Sequence, residues 1–188
     1  MRALWTAPTT LLGRGLARAV GCGPGERIGG SVAPAYLYRL PAGRFRGIAL
    51  MEGYDTYMAQ VAEISLDGGQ IKVHRVTVAA DLGRMVNPDT VEAQIQSSIV
   101  FGLSAALWGE ITLANGRVQQ TNFDRYRLLR MNENPQIDIL LVNSTEKPGG
   151  IGEPATALIG PAVANAVFAA TGKRLRRMPF TAENIAAA

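Results

Sequence analysis

Two hydrophobic runs rich in strand-forming residues, Met58 to Leu66 and Gln70 to Ala80, are parted only by the polar, flexible Asp67-Gly68-Gly69. Runs of this length around a glycine-bearing junction predict an antiparallel hairpin. The period then changes. Val91, Ile95, Ile99, Leu103 and Leu107 recur at close to helical spacing, with Asn87 suited to cap the helix and Pro88 to its first turn. Glycine weakens a helix interior, so Gly102 on this helix predicts close packing against a neighbour. Glu110 to Leu113 and Arg117 to Thr121, joined across Asn115-Gly116, predict a second hairpin. Ile137 to Ser144 alternates as a further strand does. A last helix is expected from Pro161 at its first position to Gly172 just beyond its end. Two hairpins with a long helix, a further strand, a Gly-rich loop and a C-terminal helix make an α+β domain.

Composition narrows the function classes. With 188 residues, 47% of them hydrophobic, the chain can bury one real core. The single cysteine, Cys22, excludes an internal disulfide and cannot nucleate an iron–sulfur or structural zinc site. Net charge is +4, concentrated at Arg125, Arg127 and Arg130 and at Lys173, Arg174, Arg176 and Arg177. Such clusters are most often solvated faces or subunit contacts; without interleaved aromatics or zinc spacing they do not argue for nucleic-acid binding. Met1 to Gly25 carries Arg2, Arg14 and Arg18 and no acid, a faint transit-peptide composition, while the apolar run at Leu11-Leu12 is too short for a membrane span. Residues 1–38 therefore read as an unplaced flexible lead and 39–188 as the domain. A cytoplasmic location is expected, with the periplasm open to a protein exported with a partner. His74, inside a predicted strand with no partner that spacing can assign, reads as structural, and Trp5 and Trp108 as packing residues.

One stretch suggests chemistry. Lys147-Pro148-Gly149-Gly150-Ile151-Gly152-Glu153-Pro154 puts a carboxylate on a glycine turn just before a small-residue helix. The glycines can take positive φ and let a bulky partner approach, and Pro154 is expected to keep Glu153 extended, so that the acid is held. An ordinary acidic surface turn has the same composition.

The wider pattern resembles a known family. From Leu40-Pro41-Ala42-Gly43-Arg44 through Ala59-Gln60-Val61-Ala62-Glu63, Val73-His74-Arg75-Val76 and Val86-Asn87-Pro88-Asp89, the order of segments is that of the molybdenum hydroxylases. The likeness continues through Phe101-Gly102-Leu103-Ser104, Leu129-Arg130-Met131-Asn132-Glu133, Gly152-Glu153-Pro154 and Ala170-Thr171-Gly172-Lys173-Arg174. The chain is thus similar to the C-terminal part of the molybdopterin-binding large subunit in the xanthine dehydrogenase and aldehyde oxidase family, nearest the isoquinoline 1-oxidoreductase branch. This resemblance implies hydroxylation of an N-heterocycle or aldehyde with water-derived oxygen. It makes Glu153 the general base on the metal-bound hydroxide and assigns Gln94, Gly150 and Gly152 to cofactor binding. The implied cofactor is molybdopterin in its cytosine dinucleotide form, whose dithiolene holds molybdenum without protein metal ligands. [2Fe–2S] clusters belong to a partner small subunit, and the remainder of the large subunit is a second partner. Gln96 and Ser97 depart from the family's commoner Glu-Gly. The competing readings are a truncated, non-catalytic remnant of that subunit and a basic protein-interaction module.

Overall fold

The computed structural model describes residues 38–188. Cys22, Trp5 and residues 1–37 of the expected lead lie outside it. A four-stranded sheet has the order β1-β2-β3-β6, from β1 (Arg44–Gly53), β2 (Thr56–Asp67), β3 (Gln70–Asp81) and β6 (Gln136–Leu141). β1, β2 and β3 form an antiparallel meander, and β6 joins β3 in parallel. The crossover between β3 and β6 carries helix α1 (Pro88–Trp108) and the small hairpin of β4 (Leu113–Ala114) and β5 (Arg117–Val118). Helices α2 (Pro154–Thr171) and α3 (Ala182–Ala187) complete the chain.

Three hairpins turn by the same device, two central residues with positive φ: Tyr54 and Asp55, Gly68 and Gly69, Asn115 and Gly116. That conformation matches the twist of the flanking strands. The expected hairpins at 67–70 and 114–117 are present, the second with strands only two residues long. β1 was not expected, and the reason is steric. At the centre of its face toward the helices stand Gly47 and Ala49, both buried, between Phe45 and Met51, which are only partly buried against the core. A Cβ on Gly47 would stand 2.2 Å from the Ala166 backbone nitrogen and 2.3 Å from the Ala162 oxygen. Strand and helix backbones meet there, so small residues interrupt the apolar alternation at the strand's centre.

α1 begins as expected: the Asn87 side chain accepts from the Thr90 amide, and Pro88 occupies the first turn. Val91, Ile95, Ile99, Leu103 and Leu107 are all buried. Gly102 does mark a close approach, because a Cβ there would lie 2.4 Å from Cγ2 of Ile159 on α2. α2, however, starts at Pro154, not at Pro161, which sits inside it. The helix ends at Gly172 in the left-handed conformation, as the sequence predicts. α2 is long and apolar enough to cross a membrane, a property that its place in the core between sheet and α1 accounts for. Both long helices lie on one face of the sheet, where Met58, Ile64, Val76 and Val78 meet Ile95, Ile99, Leu158 and Val163. A smaller apolar cluster of Ala59, Val61 and Ala79 lies on the other face.

Several charged residues have partners within the fold. Glu63, buried, accepts from the hydroxyl of Tyr38 and from Arg44. His74 is the extra residue where the β2–β3 register shifts beside Glu63/Ile64, and its Nε2 lies 2.8 Å from the Ser65 hydroxyl. The sequence offered no partner for His74; the bulge supplies one by turning its side chain toward the neighbouring strand. Lys173 donates to the carbonyls of Ile185 and Ala186, and Arg174 to Asn165 while covering the Phe168 ring. These two residues of the C-terminal basic cluster therefore brace the fold. Arg127 pairs with Glu133 and stacks on Trp108, while Arg130 offers Glu133 its backbone amide.

Candidate functional site

The glycine turn before α2 is gripped from three directions. At the β1–β2 turn, the Gly150 amide donates to the Tyr54 carbonyl at 2.7 Å and the Thr56 hydroxyl donates to the Gly150 carbonyl at 2.7 Å. From the end of β3, the Leu82 carbonyl accepts from the Gly149 amide at 2.7 Å and the Glu146 carbonyl from the Arg84 amide at 3.0 Å. From α1, the Ser98 hydroxyl donates to the Gly152 carbonyl at 3.0 Å, and the Thr156 hydroxyl donates to the Ser98 carbonyl at 3.1 Å. A buried hydrogen bond of this kind contributes about 1 kcal/mol. Several together make a turn with little freedom.

The glycines do not work as the sequence suggested. None of Gly149, Gly150 and Gly152 has positive φ. A Cβ on Gly149 would lie 2.3 Å from the Asp55 carbonyl oxygen, and one on Gly150 would lie 3.1 Å from Cβ of Tyr54. Their bareness admits the β1–β2 turn. Gly152 differs: it is exposed, and nothing of the described chain lies within 4 Å of where its Cβ would stand.

Glu153 is the N-cap residue of α2, with φ −142° and ψ 1°, and its side chain makes no capping bond. The expected extended conformation is met in φ and not in ψ, because its carbonyl is turned to accept from the Thr156 amide at 3.0 Å. The backbone is fixed while the carboxylate is exposed. Gln94, also exposed, lies one turn before Ser98 on α1, hence on the same side of that helix. Ser98 thereby links the helix bearing Gln94 to the turn bearing Glu153. The chain offers a carboxylate, an amide and an uncovered stretch of backbone at Gly152. Among the described residues no group of three His, Cys, Asp or Glu side chains could hold a metal ion.

Four positioning side chains escaped the sequence reading: Thr56, Gln60, Ser98 and Thr156. Gln60, fully buried, donates to the Ala155 carbonyl at 2.9 Å in the first turn of α2, while its Oε1 has no partner. Only Ser98 left a trace, as a polar residue on the buried stripe of α1 between Ile95 and Gly102.

Comparison with known proteins adds a lineage to this geometry. The family model for the molybdopterin cofactor-binding domain matches residues 34–135. A membrane-bound aldehyde dehydrogenase of Gluconacetobacter polyoxogenes, named for pyrroloquinoline-quinone, is 39% identical over 138 residues, covering 73% of this chain and 17% of that protein. The beta subunit of isoquinoline 1-oxidoreductase from Brevundimonas diminuta is 36% identical over 136 residues, covering 71% of this chain and 17% of that one. Among solved structures, quinoline 2-oxidoreductase from Pseudomonas putida 86 superposes with a TM-score of 0.64 at 24% identity, over 70% of this chain and 18% of that one, a likeness of fold. The chain spans about a sixth of the length of the curated relatives it matches.

Proposed function

Because the chain belongs to the molybdopterin cofactor-binding domain family and corresponds to part of a molybdenum hydroxylase large subunit, we propose that it supplies the catalytic base of such an enzyme, Glu153. The observation that carries this reading is the contrast at residue 153: a backbone gripped from three directions presents a carboxylate that makes no capping bond. Where an acid serves only to cap a helix, its side chain accepts from the first-turn amides. Here it does not.

The residues present fit a bulky cofactor approaching one wall. Gly152 leaves backbone uncovered where a side chain would otherwise stand, with Glu153 beside it and Gln94 on the adjoining helix. Bound molybdopterin, in the cytosine dinucleotide form, would supply the redox chemistry that hydroxylates an electron-poor carbon of an N-heterocycle or aldehyde. Gln94 would bind the pterin or its nucleotide extension through its amide, and Gly150 and Gly152 would let that ligand lie close to the backbone. Glu153 would accept a proton from the water-derived oxygen as it attacks carbon, and hold it until turnover ends. Clamping the turn fixes the backbone that carries that carboxylate before substrate arrives, which lowers the cost of ordering it. The remainder of the large subunit would close the site, and [2Fe–2S] clusters on a small subunit would carry electrons away.

The test uses the enzyme assembled with its partner polypeptides. It should co-purify with near-stoichiometric molybdenum, and Glu153→Gln should keep the metal yet lower turnover at least about a hundredfold, the scale of general-base catalysis. Near-normal turnover would rule out the role. A chain that never acquires molybdenum with any partner would support the non-catalytic remnant, and salt-sensitive binding to polyanions the interaction module.

A further inference from the structure

We propose that Ser98 is the positioning residue for Glu153, a role that rests on Glu153 being the base. A buried helix serine commonly bonds back to the carbonyl four residues earlier in its own helix. Ser104 does so on this same helix, donating to Val100 at 2.8 Å. Ser98 instead reaches across to the Gly152 carbonyl at 3.0 Å, the group immediately preceding Glu153. Its own carbonyl accepts from the Thr156 hydroxyl at 3.1 Å, three residues beyond Glu153. One residue of α1 thus grips the acid-bearing turn on both sides of the acid.

The crossing is built to permit this. Ser98 is 4% exposed, so water does not compete for its bonds. One turn further on, Gly102 lets α2 come so near that a Cβ at 102 would lie 2.9 Å from the Thr156 carbonyl oxygen. Moving α1 relative to the turn would break both hydroxyl bonds at once. The clamp therefore sets the position of Glu153 relative to α1, and with it the separation of Glu153 from Gln94. Nothing in the fold requires this particular pairing, because a back-bond to Gln94 would satisfy the Ser98 hydroxyl as well.

Amide hydrogen exchange on the full chain reads the clamp directly. The Thr156 amide, bonded to the Glu153 carbonyl, reports on the acid-bearing turn, and the Gly150 amide, held by Tyr54, is the internal control. In Ser98→Ala, exchange at Thr156 should accelerate about five- to tenfold, the equivalent of one hydrogen bond, with Gly150 and the β2–β3 amides unchanged. Unchanged exchange at Thr156, or equal acceleration everywhere, would overturn the clamp. In the molybdenum-loaded assembly, Ser98→Ala should lower kcat about tenfold at constant KM, and add nothing to Glu153→Gln. If Glu153→Gln abolishes turnover while Ser98→Ala leaves kcat intact, the positioning role fails and the base survives. If Glu153→Gln itself turns over normally, both fall.

Discussion

Gly47 and Gly102 are the points at which α2 is pressed hardest from β1 and from α1. At Gly47 the atoms in the way of a side chain are backbone nitrogen, oxygen and carbon of α2, which cannot rotate aside. At Gly102 the nearest obstruction is a methyl group of Ile159, which can move in part. Overpacking of a filled core typically costs about 1–3 kcal/mol. Gly47→Ala should therefore cost about 3 kcal/mol or more in urea unfolding, and Gly102→Ala less; the reverse order would show that the strand, and not the helix pair, has the slack. The sequence alone flagged Gly102, because a glycine inside a helical period is conspicuous. Nothing in the local pattern around Gly47 announced a close approach.

At the scale of elements, local chemistry and tertiary contact set boundaries differently. The start of α1 is local: Asn87 bonds the Thr90 amide at 3.3 Å and Pro88 has no amide to waste. Asn87→Ala should cost about 1 kcal/mol of stability, measured by thermal or urea denaturation, while Pro88 continues to mark the helix start. The start of α2 is not local. Pro161 looks like a first residue, yet the helix runs through it from Pro154, because Gly102 and Ser98 of α1 and Gln60 of β2 all hold its first turn. The carbonyl that Pro161 leaves without a donor belongs to Ala157, an exposed residue that water can reach.

Across the whole molecule, acid should lower the protein's stability in two stages. His74 has its pKa lowered, first by burial and then by the positive charges of Arg44 and Lys72, with Glu63 opposing. The unfolded chain thus binds the proton more readily, and stability falls as pH drops below the ordinary value of 6.5 toward the lower folded one. Burial acts to raise the pKa of Glu63, but hydrogen bonds from Tyr38 and Arg44 and the charges of Arg44 and Arg75 outweigh it, leaving it below 4.5. Its contribution is complete above 4.5 and is lost as pH falls through the folded value. Scanning calorimetry should show a melting temperature that declines first below about pH 6.5 and again below about 4.5. His74→Gln should remove the upper stage and Glu63→Gln the lower; a single stage unaffected by either would show that other groups govern acid unfolding.

What the sequence determined by itself was whatever neighbouring residues decide among themselves: the turns at Gly68-Gly69 and Asn115-Gly116, the capped and periodic α1, the stop at Gly172, and the acid placed beside a proline. Those features rest on backbone sterics and on hydrogen bonds that span a few positions. Tertiary structure alone decided the strand hidden behind Gly47, the length of α2, the partner of His74 and the grip of Ser98 and Thr56 on the glycine turn. Each of these joins atoms distant along the chain. A small or polar residue shows its purpose only when the backbone it touches is brought within bonding distance.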